Sequence, residues 1–260
     1  MTDKKTVLVT GSSSGIGLAI AQVLASQGFQ VMLHGLEENA VGAPIAAELA
    51  QAYDVSTGYF GADLAQPAEI EKLFDACVKQ FGRIDILVNN AGIQYTAATA
   101  EFPIEKWDQL LAINLSAPFH LTRLALPAMQ QAGWGRIINI ASVHGMVGSA
   151  NKSAYCAAKH GLVGFTKVVA LEHAADGITA NCICPGWTDT PLLNHQFEVY
   201  AEQHQLSPEE AKRGLVQSKA PYPELIQPSA IGAMTAFLCS EAAVGITGTS
   251  LPVDGGWTAH

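Results

Sequence analysis

Tyr155 and Lys159 stand four residues apart in SAYCAAKHG, a spacing that stacks both side chains on one face of a helix. A phenol with a pKa near 10 is a poor base at neutral pH. An ammonium about 4 Å away, at an effective dielectric of about 20, favours the phenolate by about 4 kcal/mol before desolvation offsets part of the gain. That corresponds to roughly 3 pKa units. Such a phenolate can take the proton of an alcohol while hydride leaves the same carbon, which is general base catalysis. A tyrosine and a lysine at this spacing also occur on ordinary helix faces, so the pair gains weight only from its company. Ser142 ends the run RIINIAS, and NNAG, residues 89–92, ends DILVNNAG. Both lie at the carboxyl ends of strand-like runs, where α/β sheets bind ligands.

Those residues need a sheet to carry them. TVLVT, QVMLHG, VSTGYFGAD, DILVNNAG, RIINIAS and ITANCICPG alternate with longer segments rich in Ala, Leu, Glu and Lys. The alternation predicts one domain over residues 1–260, a Rossmann-like doubly wound parallel sheet of about seven strands with about six larger helices. The architecture is a three-layer αβα sandwich. The first strand-like run ends in TGSSSGIG, with Gly11, Gly15 and Gly17, and enters a helix-like segment. Such a turn lets the backbone approach a pyrophosphate at the positive end of a helix dipole. The spacing is TGxxxGxG rather than GxGxxG, and its place after a first strand predicts dinucleotide binding. The second strand-like run ends in HGLEEN, with no Arg or Lys to meet a 2′-phosphate. Leu36 stands where an acid is expected, and Glu37 and Glu38 would repel the phosphate, so NAD is expected over NADP. From about 190 to 228 the chain is polar and helical in fragments. It is expected to be a substrate lid, with a surface insertion that gates nothing as the alternative.

Composition narrows the partners. The 260 residues are 49% hydrophobic and 14% charged, with a net charge of −9. An acidic chain lacks the clustered cations that neutralise nucleic acid or anionic lipid, so a small molecule is the expected partner. No run approaches the ~18 apolar residues of a membrane span, and the first residues lack the apolar core of a signal peptide, so a cytoplasmic location is expected. The five cysteines form no CxxC pair and the eight histidines show no ligand spacing with them. Buried thiols and no metal site are expected.

TGSSSGIG, NNAG, Asn114 in AINLSAPF, Ser142, YCAAK and PGWTDTP, in this order across nearly the whole chain, resemble the short-chain dehydrogenases/reductases. The resemblance implies that Asn114, Ser142, Tyr155 and Lys159 form a catalytic tetrad. Ser142 would position the substrate oxygen, Lys159 would also hold the nicotinamide ribose, and Asn114 would hold a water linking Lys159 to solvent. The implied NAD contacts are Gly11, Ser13, Gly15, Ile16 and Gly17 in the glycine-rich turn, and Leu36 after the second strand. Asp63 and Leu64 would flank the adenine, and Asn90, Ala91 and Gly92 would line the ribose. Pro185, Gly186 and Thr190 would meet the nicotinamide and diphosphate. A homotetramer is also implied, with helix pairs and the C-terminal strand packing between subunits.

Further stretches, NNAGIQ, WDQLLAINLSAPFH, RIINIASVHGMVGSANKSAYCAAKHG and VDGGWTA, are similar to those of bacterial family members that oxidise D-3-hydroxybutyrate to acetoacetate. They imply Gln94, His144, Lys152 and Gln196 as polar groups around the reacting carbon, with Trp187 and Trp257 as an apolar wall. Two other readings stay open. One is a reductase for another small ketone, a sugar or a 3-oxoacyl thioester. The other is a sensor that binds the dinucleotide without chemistry, whose mark would be a missing Tyr, Lys or Ser. None of the three is missing.

Overall fold

A computed structural model describes residues 4–259. Seven parallel strands run β1 (Thr6–Val9), β2 (Gln30–Gly35), β3 (Thr57–Gly61), β4 (Ile86–Asn89), β5 (Gly135–Ile140), β6 (Ile178–Pro185) and β7 (Ser250–Val253). Their order across the sheet is β3-β2-β1-β4-β5-β6-β7. Alternate residues of each strand serve opposite faces. Val7, Val9, Ile86, Val88 and Ile138 pack with α1 (Gly15–Ser26), α2 (Asn39–Tyr53) and α9 (Pro228–Cys239). Leu8, Leu87 and Ile137 pack with α3 (Pro67–Phe81), α5 (Ala117–Ala132) and α6 (Ser153–His173). Because both faces are covered, the central strands read as continuous apolar runs rather than as alternating ones.

The expected sheet and layers are therefore present, and the described residues hold three α-helices beyond the six that flank the sheet. One is α4 (Ile104–Leu111), set off from α5 by a π-helical turn at Ala112–Ser116. The others are α7 (Pro191–His204) and α8 (Pro208–Gln217), in the polar region that the sequence set apart. Ser207 caps α8 through a reciprocal pair of hydrogen bonds with Glu210.

The chain moves outward from β1 to β3 and then returns to β4 beside β1, which opens a crevice at their carboxyl ends. Thr10 closes the floor of that crevice. Its hydroxyl accepts the N–H groups of Asn90 and Ala91 at 3.0 Å each, and the Asn90 side chain donates to the carbonyls of Thr10 and Gly11 at 2.9 Å each. A second buried chain ties the sheet to α6: Asn89 donates to Asn139 at 2.8 Å, and Asn139 donates to the Thr166 hydroxyl at 2.7 Å.

His34 links β2 to both neighbours of the crevice. Its Nδ1 accepts the Gly11 N–H at 3.0 Å and its Nε2 lies 3.0 Å from the Ala62 carbonyl, which requires the neutral ring protonated on Nε2. Burial pushes its pKa down from 6.5 to about 4. Between those values the unfolded chain binds the proton and the fold does not. The stability is thus full above pH 6.5 and is lost as pH falls towards 4. From pH 7 to pH 5 the wild type is expected to lose about 2 kcal/mol more unfolding free energy than His34→Gln, measured by urea denaturation. Equal losses would show that His34 is not the source.

Candidate active site

A groove of about 580 Å³ runs along the carboxyl ends of the strands. Every residue that the sequence assigns to cofactor or substrate lines it, from Gly11 in the first turn to Trp257 near the C-terminus. Asn114 is the exception among the site residues and lies fully buried behind the groove.

The glycine-rich turn is shaped by conformation and by space. Gly11 and Gly15 have φ of +61° and +54°, in the left-handed region that costs glycine little. A Cβ on Gly11 would stand 2.8 Å from Ala91 Cα, so the segment after β4 closes directly over the turn. Ser14 precedes α1 in an extended conformation and its side chain makes no cap bond. The first-turn N–H groups of α1 are left for an anion, and this cradle fits the diphosphate of a dinucleotide.

At the adenosine end, Leu36 is 76% exposed beside the groove mouth. Asp63 accepts the Ala65 N–H at 2.9 Å, which fixes the turn before α3. His34, Gly35 and Glu37 line this end as well. Glu37 is one of the two acids that the sequence places here, whereas His34 and Gly35 are not singled out by a motif, because their place depends on contacts with the first turn and β3.

At the other end, α6 carries Tyr155 and Lys159 on one face. Lys159 is 3% exposed and donates from Nζ to the Ile140 carbonyl at 2.8 Å, with Nζ 5.7 Å from the centre of the Tyr155 ring. Burial pushes the Tyr155 hydroxyl up to about 12, against the pull of its hydrogen bond with Ser142. Burial also pushes Lys159 down to about 8. In the unliganded protein the tyrosine is thus shifted away from the phenolate, because desolvation outweighs its hydrogen bond with Ser142. Ser142 follows β5 and accepts the His144 N–H at 3.2 Å. The Asn114 amide is spent on the backbone after NNAG: its Oδ1 accepts the Ile93 N–H and its Nδ2 donates to the Ile93 carbonyl, both at 2.9 Å. The π-helical turn around it provides the local widening.

Beyond Tyr155 the groove holds the remaining predicted residues. Lys152, just before α6, donates to Gln196 of α7 at 3.4 Å and stands 5.9 Å from the centre of the Trp187 ring. His144 meets Tyr155 and Trp257 edge to face, with centroids 6.1 and 5.4 Å away. Burial first, and then Lys152, push its pKa down to about 4, so the ring is neutral at pH 7. Trp187 and Trp257 pack 5.3 Å apart. Trp257 is placed by a tight turn in which Asp254 accepts the N–H of Gly256 at 2.9 Å and of Thr258 at 2.8 Å. Tyr222 donates its N–H to the Gly255 carbonyl at 3.0 Å, tying that turn to the chain after α8.

Among the described residues no group of three His, Cys, Asp or Glu side chains is arranged to hold a metal. All five cysteines are free, four of them buried and Cys156 half-buried.

The family model described as short chain dehydrogenase matches residues 5–201. The D-beta-hydroxybutyrate dehydrogenase of Cupriavidus necator is 53% identical over 261 residues, covering 100% of both chains. The protein of the same name from Rhizobium meliloti is 43% identical, covering 98% of this chain and 99% of its own. Among solved structures, a single-substitution variant of the actinorhodin polyketide ketoreductase with NADPH superposes with a TM-score of 0.93 at 38% identity, covering 100% and 99% of the two chains. With a seven-stranded parallel sheet, a phosphate cradle and a buried Tyr–Lys pair along one groove, the chain belongs to the short-chain dehydrogenase family, oxidoreductases that work with a nicotinamide dinucleotide.

Proposed function

We propose that this enzyme oxidises D-3-hydroxybutyrate to acetoacetate with NAD, reversibly. The observation that carries the reading is Lys152, an ammonium drawn into the groove beside Gln196, Trp187 and neutral His144. A short hydroxy acid has little apolar surface to bind by, so its carboxylate has to be met by a cation and hydrogen-bond donors. Lys152, Gln196, His144 and Gln94 form that set, and Trp187 and Trp257 wall the methyl group. A substrate without a charge would leave Lys152 desolvated and unmatched. The relatives of 53% and 43% identity, both named for D-beta-hydroxybutyrate, support the same substrate. At the adenosine end no Arg or Lys lines the groove, which favours NAD.

In the forward reaction the C3 hydroxyl lies between Ser142 and Tyr155. Ser142 steadies the oxygen while Tyr155 takes its proton. When bound, the oxidised cofactor supplies the hydride acceptor and a positive ring charge that adds to that of Lys159 in lowering the Tyr155 proton affinity. Lys159 holds the ribose and hands the proton onward. Since the Asn114 amide is spent on Ile93, a relay water falls to its main chain. The region 190–228 serves as a lid that brings Gln196 to Lys152, within one domain that works in the cytoplasm.

The enzyme is further proposed to be a homotetramer. Phe119 on α5 and Val168 and Leu171 on α6 are exposed, and so are Phe237 on α9 and Val244 after it. Exposed apolar side chains on α5, α6 and α9 suit the interfaces of a closed, symmetric assembly. Leu171, 85% exposed, is the most open of these side chains. Leu171→Glu is expected to yield a smaller species in light scattering while the wild type elutes as a tetramer, and a wild-type monomer would end this part of the reading.

Tyr155→Phe is expected to bind NADH nearly as the wild type does and to turn over at least about 100-fold more slowly. Retention of more than about a tenth of the wild-type rate, with chemistry limiting, would remove Tyr155 as the base.

For the substrate, an NADH-absorbance assay over short D- and L-3-hydroxy acids is expected to favour D-3-hydroxybutyrate. Lys152→Ala should raise its Michaelis constant about tenfold or more and barely change that for NAD. The methyl ester should be a poor substrate that gains nothing from Lys152. Equal turnover of ester and acid would place the carboxylate elsewhere.

A further inference from the structure

Lys152 stands between the segment that follows Ser142 and the first turn of α6, and its main chain is held on every side. Its carbonyl accepts the Cys156 N–H at 2.8 Å and so begins the helix that carries Tyr155 and Lys159. Its N–H donates to the Ser149 carbonyl at 3.3 Å, which closes a four-residue turn over 149–152. One residue earlier, the Asn151 carbonyl accepts the Ala97 N–H at 3.0 Å, and Ala97 pairs with Lys152 in an isolated parallel bridge. Ala97 lies three residues after Gln94, so this bridge joins the two loops that bring Gln94 and Lys152 to the groove. The Gln94 loop is itself anchored. Asn114 holds Ile93 by both ends of its amide, while Tyr95 meets Phe102 edge to face at 5.6 Å and Phe102 meets Trp107 of α4 at 6.4 Å.

The turn depends on one backbone angle. Asn151 has φ of +64°, at the third position of the turn, where a positive φ calls for glycine or asparagine. Among the described residues two other non-glycine residues have positive φ, Asp54 and Gln205, and both end a helix, α2 and α7. A left-handed residue is an ordinary cap there. Asn151 instead precedes a helix and adjoins a residue of the groove. Its side chain is exposed and carries no hydrogen bond among the described residues. The position therefore needs the conformation and not the amide. A residue confined to negative φ would swing the chain between Ser149 and Lys152, and with it the root of the Lys152 side chain. The other end of that side chain has little play, because Nζ reaches Gln196 of α7 at 3.4 Å and lies 5.9 Å from the centre of the Trp187 ring.

We propose that Asn151 is a positioning residue for substrate binding: its left-handed backbone, pinned by Ala97 to the loop of Gln94, aims Lys152 at the substrate carboxylate. The inference rests on the 3-hydroxybutyrate reading above and adds to it what holds the cation in place. Asn151 touches neither substrate nor cofactor and acts through Lys152. A displaced ammonium weakens the carboxylate contact equally in the ground state and in the transition state, so the effect falls on the Michaelis constant and spares turnover.

The test is steady-state oxidation of D-3-hydroxybutyrate by the intact enzyme, with the melting temperature of each variant measured alongside. Asn151→Val brings a β-branched side chain that resists positive φ. It should raise the Michaelis constant for the acid about fivefold, with turnover within about twofold of the wild type and the constant for NAD unchanged. Asn151→Gly takes the same φ freely and should keep the constant for the acid within about twofold of the wild type. In a Lys152→Ala background, Asn151→Val should add less than about a further twofold, because the group it aims is gone. An Asn151→Val enzyme with the wild-type constant overturns the proposal even if it melts at a lower temperature, since the turn would then serve the fold alone. Two other results overturn it as well: a glycine variant as impaired as the valine one, and a full additional fivefold rise in the Lys152→Ala background. A Lys152→Ala enzyme whose own constant is that of the wild type would instead end the substrate reading, and the role of Asn151 with it.

Discussion

The hydroxyl of Thr10, at the end of β1, accepts two consecutive N–H groups of the segment after β4. The Asn90 side chain returns two hydrogen bonds to the first turn. Because β1 and β4 are far apart in sequence and adjacent in space, this buried zipper sets how closely the phosphate turn approaches the NNAG segment. Gly11 has no room for a Cβ against Ala91, so any loosening of the zipper would open the cradle and displace the residues beyond it. Gly92 lies within reach of both the Asn114 and the Lys159 side chains, and Asn114 in turn holds Ile93. The groove is thus registered from one end to the other through the strand ends rather than through the helices.

Burial governs the electrostatics of the site. It raises Tyr155 and lowers Lys159 and His144, and all three shifts favour the uncharged forms. At pH 7 Tyr155 is protonated and Lys159, at about 8, is still mostly an ammonium, so burial changes how readily each group exchanges its proton rather than which form predominates. Lys152 sits in the same gradient with its ammonium against Gln196 and the Trp187 ring, and burial lowers its pKa too.

Much of this was legible in the sequence because strand ends carry short motifs. TGSSSGIG, NNAG, IAS and CPG each mark a point where a strand meets the groove, and their order alone fixes which side chains share it. What stayed hidden depends on residues that meet only in three dimensions. The main-chain clamp beside Lys152 needs the Ala97 N–H from the loop after β4, which no local pattern reports. The tautomer of His34 is set by Gly11 on one side and Ala62 on the other. Asn114 was identified by its motif, yet the use of both ends of its amide on Ile93 follows from a π-helical turn that has no clear signature in AINLS. The direction of the Tyr155 shift was also out of reach, since a spacing of four places the ammonium but says nothing of how much water the fold removes.

The turn built on Asp254 carries Trp257 from near the C-terminus into contact with His144 and Trp187. The phosphate cradle, Ser142 and the Tyr155–Lys159 face all come from the first 159 positions, whereas Trp257, which meets His144, is supplied nearly a hundred residues later. A substitution that breaks the Asp254 turn would therefore leave the groups for chemistry in place and remove the apolar wall beside His144.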